Sequence, residues 1–126
     1  MGRLRWKSRP LLLFEPDEAD ASEKPEGWKR LLRELEAGED AVRERDMVVI
    51  RLLGNSGYLD GDQLPIGTVA SLREQLQVGC SVYEAVLIGK DGGVKLRRRN
   101  GAALEEIFRR IDAMPMRRSE MEQRRS

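Results

Sequence analysis

Two sets of residues in this sequence could do chemistry: a single cysteine and a short run of basic side chains. The cysteine, Cys80, is the only one in 126 residues, and the sequence contains no histidine. One cysteine cannot close an internal disulfide, and the lack of imidazole excludes Ser-His-Asp, Cys-His and His-ligated metal chemistry. What remains for catalysis is a lone reactive thiol, carboxylate acid–base chemistry, or Lys and Arg side chains that clamp an anion.

Cys80 has two interpretations. A free cysteine commonly packs as a small buried hydrophobic residue. It could instead be a redox-sensing thiol that forms a mixed disulfide, and such a thiolate needs nearby positive charge to stabilise it. The nearest charged residue along the chain is Glu84, which is acidic. The local sequence therefore does not favour a reactive thiol, and Cys80 stays a redox candidate only.

The densest basic run is the anion-binding candidate. In an extended segment Lys95, Arg97 and Arg99 would project to one face. There they could bind phosphate, sulfate or a polyanion such as a glycosaminoglycan. The alternative is a charged edge strand that discourages pairing between molecules. The candidate anion-binding residues are Lys95, Arg97, Arg98 and Arg99.

The charge balance indicates which partners to expect. Lys and Arg number 23 against 22 Asp and Glu, and the pI is about 7.9. Residues 1–63 are slightly acidic and residues 64–126 slightly basic. A dedicated nucleic-acid-binding domain usually has a pI above about 9. We therefore expect no specific nucleic-acid binding, a protein or polyanion as the partner, and a monomer or weak homodimer.

Neither metal binding nor a membrane-spanning segment is indicated. Asp17, Glu18 and Asp20 form a loose acidic cluster without the glycine turn and terminal glutamate of a calcium loop, so we expect a solvated loop with no metal or cofactor. The apolar run Leu11–Phe14 is too short for a transmembrane helix or a secretory signal. The sequence alone does not assign a cellular location.

The elements that must position these residues follow from the apolar patterns. Short apolar or β-branched runs predict strands, and apolar residues at helical spacing predict helices. Thr68 and Asn100 are the expected N-caps of the last two helices, and Gly38, Gly79 and Pro115 are expected to end the three helices. The predicted order is strand 10–14, helix from Trp28, strand 47–53, helix from Thr68, a hairpin of strands 84–89 and 94–97, and helix from Asn100.

This order favours one α/β domain over residues 1–115. A right-handed crossover would make the first two strands parallel, and the hairpin would add antiparallel strands at one side. We predict a thioredoxin-like three-layer sandwich with a mixed sheet of about four strands flanked by helices; ferredoxin-like and other α/β sandwiches share parts of this order. The region 58–67 is expected to be loop, with room for a short edge strand around Tyr58–Leu59. Residues 116–126 are expected to form a polar, loose tail.

Four segments carry a resemblance to a known family: residues 4–14, 45–50, 85–97 and 111–118. Together they resemble P-DUDES, the peroxiredoxin-like DUDES domain family, also called domain of unknown function (DUF) 4174. Its members occur as stand-alone bacterial proteins and as modules of vertebrate extracellular matrix proteins. The resemblance implies a thioredoxin-like fold and an extracytoplasmic, periplasmic or secreted, location.

The resemblance also shows what this chain lacks. Thioredoxin-like enzymes carry a Cys-x-x-Cys pair or a single reactive cysteine near the start of the first helix, and here residues 15–28 contain no cysteine. They also place a cis-proline before the hairpin, where residues 81–84 contain no proline. We therefore expect no oxidoreductase activity. The leading hypothesis is a non-catalytic binding module, with a one-cysteine redox protein using Cys80 and a polyanion-binding surface as alternatives.

Overall fold

The computed structural model describes residues 9–16, 24–54, 56–59, 62–64, 67–79, 82–90 and 93–114. Across these residues six strands form one mixed sheet in the order β4-β3-β2-β1-β5-β6, accompanied by four helices. The elements in chain order are β1 (Arg9–Glu15), α1 (Glu26–Ala37), α2 (Glu39–Glu44), β2 (Met47–Leu53), β3 (Ser56–Leu59), β4 (Asp62–Gln63), α3 (Thr68–Leu76), β5 (Glu84–Ile88), β6 (Val94–Arg99) and α4 (Leu104–Asp112).

The centre of the sheet is the predicted crossover unit. Strand β1 pairs in parallel with β2, from Arg9 beside Met47 to Glu15 beside Leu53, and α1 lies between them along the chain. On its other side β1 pairs antiparallel with β5, which in turn pairs antiparallel with β6. The pairing confirms the predicted parallel first strands with an antiparallel hairpin at one side.

Two cores separate the three layers. Alternate residues of β1 point to opposite faces, so Leu11 and Leu13 pack under α1 and α4 while Leu12 and Phe14 pack under α3. Trp28 is fully buried in the first core, where its ring meets Tyr83 edge-on with centroids 5.4 Å apart. Burial of apolar surface on both faces explains why β1 is buried along its whole length.

The sheet has more strands than the four predicted. The additional pair is β3, which confirms a short strand around Tyr58–Leu59, and the two-residue β4, which lies outside β3 and forms the edge. Only two residues, Gly54 and Asn55, separate β2 from β3, and Gly54 has the positive φ of 57° that a tight hairpin requires. The polar, glycine-rich sequence of this region lacks the alternation that marks a strand.

Three helix boundaries differ from the prediction. Helix α3 is preceded by Gly67 in a left-handed conformation, so Thr68 is its first residue and not its cap, and Gln77 with φ of 56° ends it before Gly79. Ala103 precedes α4 in place of Asn100, which has a φ of 61°. Before α3 and before α4, one residue has a left-handed backbone conformation. The preferences of side chains for N-cap positions do not predict such a residue.

The remaining expectations concern boundaries. Gly38 caps the end of α1 as predicted. Helix α4 ends at Asp112 and Ala113 caps it, so the helix stops before Pro115. Residues 116–126 and the acidic cluster at positions 17, 18 and 20 lie outside the described residues. Among the described helices, none combines the length and the apolar composition needed to cross a membrane.

Candidate functional site

The carboxyl end of β1 holds a fully buried carboxylate. Glu15 is the last residue of this strand, and its side chain accepts two hydrogen bonds from Arg51 of β2, with Nε and Nη2 at 3.0 and 2.6 Å from Oε2. The ammonium of Lys24 lies 3.4 Å from the other oxygen. Because a buried carboxylate is costly without opposite charge, two cations from different elements hold Glu15 in place. These three residues are called the Glu15 triad below.

A second triad lies on the neighbouring strand. Glu84, the first residue of β5, is buried and pairs in the sheet with Phe14. Its Oε2 accepts hydrogen bonds from Nε and Nη2 of Arg97, the former at 3.0 Å, and Arg99 Nε lies 3.4 Å from its Oε1. One buried carboxylate is therefore shared by two guanidinium groups of β6, and these residues form the Glu84 triad.

The two triads sit at the same end of the sheet but on opposite faces. Glu15 follows Leu11 and Leu13 on the face covered by α1 and α4, whereas Glu84 precedes Val86 on the face that α3 covers in part. Each triad contains one carboxylate and two cations and thus has one excess positive charge. The excess is accessible at the Glu84 triad, where the Arg97 and Arg99 side chains are 39% and 72% exposed.

Arg73 of α3 links the ends of β1 and β2 and the loop that leads into β5 by hydrogen bonds to their backbone. Its buried guanidinium donates to the carbonyl oxygens of Gly54 and Gly79, both at 2.8 Å, and to that of Glu15 at 3.1 Å. It also lies over the ring of Phe14, 5.1 Å from the centroid. These partners belong to the ends of β1 and β2 and to the loop that leads into β5. Arg73 is thus a structural clamp that positions the site.

The structure brings together part of the predicted anion-binding set. Arg97 and Arg99 share the Glu84 face of β6, but the pairing shifts from Leu87–Leu96 to Ile88–Val94, which makes Lys95 the additional residue of a β-bulge. Arg98 lies on the other face, where its Nε is 3.0 Å from Glu106 Oε1 of α4. Arg97 and Arg99 therefore share one face of β6 as expected, and Arg98 lies on the other.

The redox candidate, Cys80, lies outside the described residues. Over the part of the chain that the structure describes, His, Cys, Asp and Glu side chains form no group of three that could hold a metal ion. The described geometry contains paired guanidinium groups, a kind of group that can hydrogen-bond an anion.

The sequence did not single out Glu15, Arg51, Arg73 or Glu84 as site residues. In the sequence, such residues can be recognised as charged residues inside or beside an otherwise apolar strand or helix face. Arg51 within Met47–Leu53 is an example. Charged residues are rarely fully buried unless they are paired, so such interruptions point to ion pairs across the sheet. The pairing itself joins residues far apart in sequence, and only the register of the strands reveals it.

An apolar groove lies near the amino end of β2, the end opposite to the triads. It is lined by Leu35, Val42 and β2 residues from Met47 to Val49, and its volume is about 500 Å³. On its rim Glu39 and Arg43 form an ion pair with each other. This groove therefore offers apolar contact but no net charge, and it is separate from the candidate site.

Three comparisons with known proteins bear on this site. The family described as "Domain of unknown function (DUF4174)" matches residues 1–120. The Xenopus laevis sushi repeat-containing protein SRPX2 is 27% identical over 110 residues, which are 84% of this chain and 23% of that protein. Reduced Plasmodium vivax 2-Cys peroxiredoxin shares the fold with a TM-score of 0.57 and 21% identity, over 90% of this chain and 80% of that one.

These findings confirm the family resemblance and the predicted fold. The peroxiredoxin likeness is to the architecture alone, because the sequence identity is low. The curated relative is much longer, and this chain spans only 23% of its length. Since the family match covers nearly every residue, the chain belongs to the DUF4174 family and has a thioredoxin-like fold of the peroxiredoxin type.

Proposed function

We propose that this chain is a non-catalytic thioredoxin-fold module that binds a negatively charged partner. The observation that carries the proposal is the Glu84 triad, in which one buried carboxylate holds two partly exposed guanidinium groups on an edge strand. A carboxylate shared in this way orients Arg97 and Arg99 and still leaves a net positive charge. Oriented guanidinium groups are well suited to carboxylate, sulfate and phosphate ligands.

The Glu15 triad supports the non-catalytic part of the proposal. The segment after β1 is where a thioredoxin-like enzyme would carry its reactive cysteine, and this segment contains none. The strand that leads into it ends in a carboxylate neutralised by Arg51 and Lys24. Where such an enzyme has a thiol, this chain therefore has an ion-pair network at the strand end and no cysteine in the segment that follows.

The size of the relative agrees with a module. The chain matches 23% of the sushi repeat-containing protein SRPX2, as expected if this fold serves as one unit of a larger protein. A unit of this kind contributes a surface to its parent protein and needs no turnover of its own. The extracytoplasmic location implied by the family resemblance fits the same proposal.

Heparin affinity chromatography tests the proposal. We expect the chain to be retained on heparin and to elute at lower salt when Arg97, Arg98 and Arg99 are replaced by Gln, because fewer cations meet the polymer. The matched control replaces three other exposed arginines, namely Arg30, Arg43 and Arg109, which pair with acidic residues on their own helices. Equal elution of the two triple variants would contradict a binding role for β6.

A further inference from the structure

Strand β6 offers a binding edge as well as a charge. It is the last strand in the described sheet order, with β5 on one side. An edge strand presents a row of backbone N–H and C=O groups on which another extended chain can pair. On β6 the carbonyl oxygen of Arg97 accepts a hydrogen bond from Nη1 of the exposed Arg98 side chain at 2.8 Å, and an added strand would displace this contact. Its six residues span about 20 Å at the usual rise per residue, which is long enough for a ligand strand of several residues.

Two positively charged side chains occupy alternate positions on this edge strand. Arg97 and Arg99 are two residues apart, pair with Val86 and Glu84, and project to the same face. An added strand would place alternate side chains beside these two guanidinium groups, at cross-strand distances of about 5 Å. Arg97 commits only Nε and Nη2 to Glu84, and a guanidinium has five N–H donors, so donors remain for a ligand.

The same charges argue against a second copy of this chain as the ligand. Pairing of two β6 edges would bring the arginines of one chain close to those of the other, and like charges on neighbouring strands are destabilising. A strand with carboxylates at alternate positions removes that repulsion and replaces it with attraction. The edge therefore discriminates between partners by the sign and spacing of their charges.

We infer that the partner is an acidic protein segment that adds to the outer edge of β6 as an extended strand, with carboxylates two residues apart beside Arg97 and Arg99. This inference rests on the proposed function, since it names the class of ligand bound at the Glu84 triad. A polysaccharide could use the charges of the edge but not its backbone hydrogen-bonding groups as a strand does. The acidic segment uses both.

Two synthetic peptides of equal composition and charge test the inference. In the alternating peptide, two glutamates are separated by one threonine or valine; in the other, the two glutamates are adjacent, so that they project to opposite faces of a strand. We expect the alternating peptide to bind about 5-fold or more tightly, because only it can pair two carboxylates with Arg97 and Arg99 on one face. Fluorescence anisotropy of labelled peptides measures both affinities, with heparin as a third ligand.

Variants locate the binding edge. The double variant Arg97→Gln/Arg99→Gln should weaken the alternating peptide about 5- to 10-fold, by loss of two cross-strand charge pairs, whereas Arg109→Gln/Arg110→Gln on α4 should leave its affinity unchanged. Arg99→Gln alone keeps the Arg97–Glu84 pair and should still weaken binding about 2- to 3-fold. This single variant preserves the test should the double variant unfold.

Each outcome distinguishes the inference from the proposed function. Equal affinity for the two peptides, sensitive to Arg97 and Arg99, would overturn strand addition but retain a charge-binding module. Binding of heparin without either peptide would identify a polyanion ligand and likewise overturn the inference. Failure of all three ligands to bind would overturn the proposed function as well.

Discussion

Arg73 is the residue on which the arrangement of the strand ends depends most. Replacing it with methionine keeps much of the side-chain volume but removes the guanidinium that bonds Gly54, Gly79 and Glu15. A hydrogen bond from a charged donor contributes about 1.5–3 kcal/mol, and a buried carbonyl left unpaired costs about 1–3 kcal/mol. With two bonds at 2.8 Å, we expect Arg73→Met to lower the free energy of unfolding by about 4 kcal/mol.

Urea unfolding followed by tryptophan fluorescence measures this loss, because Trp28 is fully buried in the folded chain. With a slope of about 2 kcal/mol per molar urea, a loss of this size moves the midpoint down by about 2 M. The control is Arg43→Met on α2, where the arginine is largely exposed and pairs with Glu39 one turn away. Such a helix-surface pair contributes less than about 0.5 kcal/mol.

A midpoint for Arg73→Met within about 0.5 M of the unmodified chain would refute the clamp, because that change is no larger than an exposed ion pair produces. An equal drop for Arg43→Met would refute it as well, since the loss would then reflect arginine removal in general. Arg73→Lys adds a graded test. A single ammonium reaches fewer of these carbonyls, so its midpoint should fall between those of the unmodified chain and Arg73→Met.

Two further substitutions test the strand end and the backbone around it. Glu15→Gln should cost about 2 kcal/mol in urea unfolding, less than a fully buried pair, because Arg51 is 40% exposed and can be hydrated; no change would mean that the Glu15 triad adds no stability. Gly101→Ala should cost more than about 3 kcal/mol, because its Cβ would lie 2.4 Å from backbone atoms of Gly27 at a φ of 120°. Gly67→Ala, with a φ of 94° and open space, should cost about 1–2 kcal/mol, and equal losses at the two glycines would contradict the close approach.

The main elements of the fold could be predicted because they depend on apolar pattern. The run Leu11–Phe14 and the stretch 47–53 have too little polarity for anything but covered strands, and Trp28, Leu31 and Leu35 repeat at helical spacing and are buried as expected. Each of these signals is local. The parallel pairing of β1 with β2 then follows from the crossover rule.

The additional hairpin was less predictable. Ser56 and Gly57 have low strand propensity, and β3 is held by pairing with β2 and by close packing, since a Cβ on Gly57 would lie 2.7 Å from Leu64 and 2.8 Å from Val69. Tertiary contact overrides propensity at such a place. The two-residue link at Gly54–Asn55 was the one local sign of a tight hairpin.

The candidate site could be predicted only in part. A basic run is visible in the sequence, but Glu84 lies 13 and 15 residues before Arg97 and Arg99 and meets them only through the antiparallel register of β5 and β6. The bulge at Lys95 also depends on that register. The spacing of basic residues in the sequence therefore identifies the arginines, but only the pairing of the strands shows that they share one buried carboxylate.

The most direct test of the central claim is turnover by a thiol. Peroxide consumption and disulfide reduction, supplied with an external thiol reductant, are measured for the unmodified chain and for Cys80→Ser. For a non-catalytic binding module we predict rates equal to those of the Cys80→Ser variant and of a protein-free blank. Catalytic turnover by the unmodified chain that Cys80→Ser abolishes would contradict the account and establish the one-cysteine redox alternative.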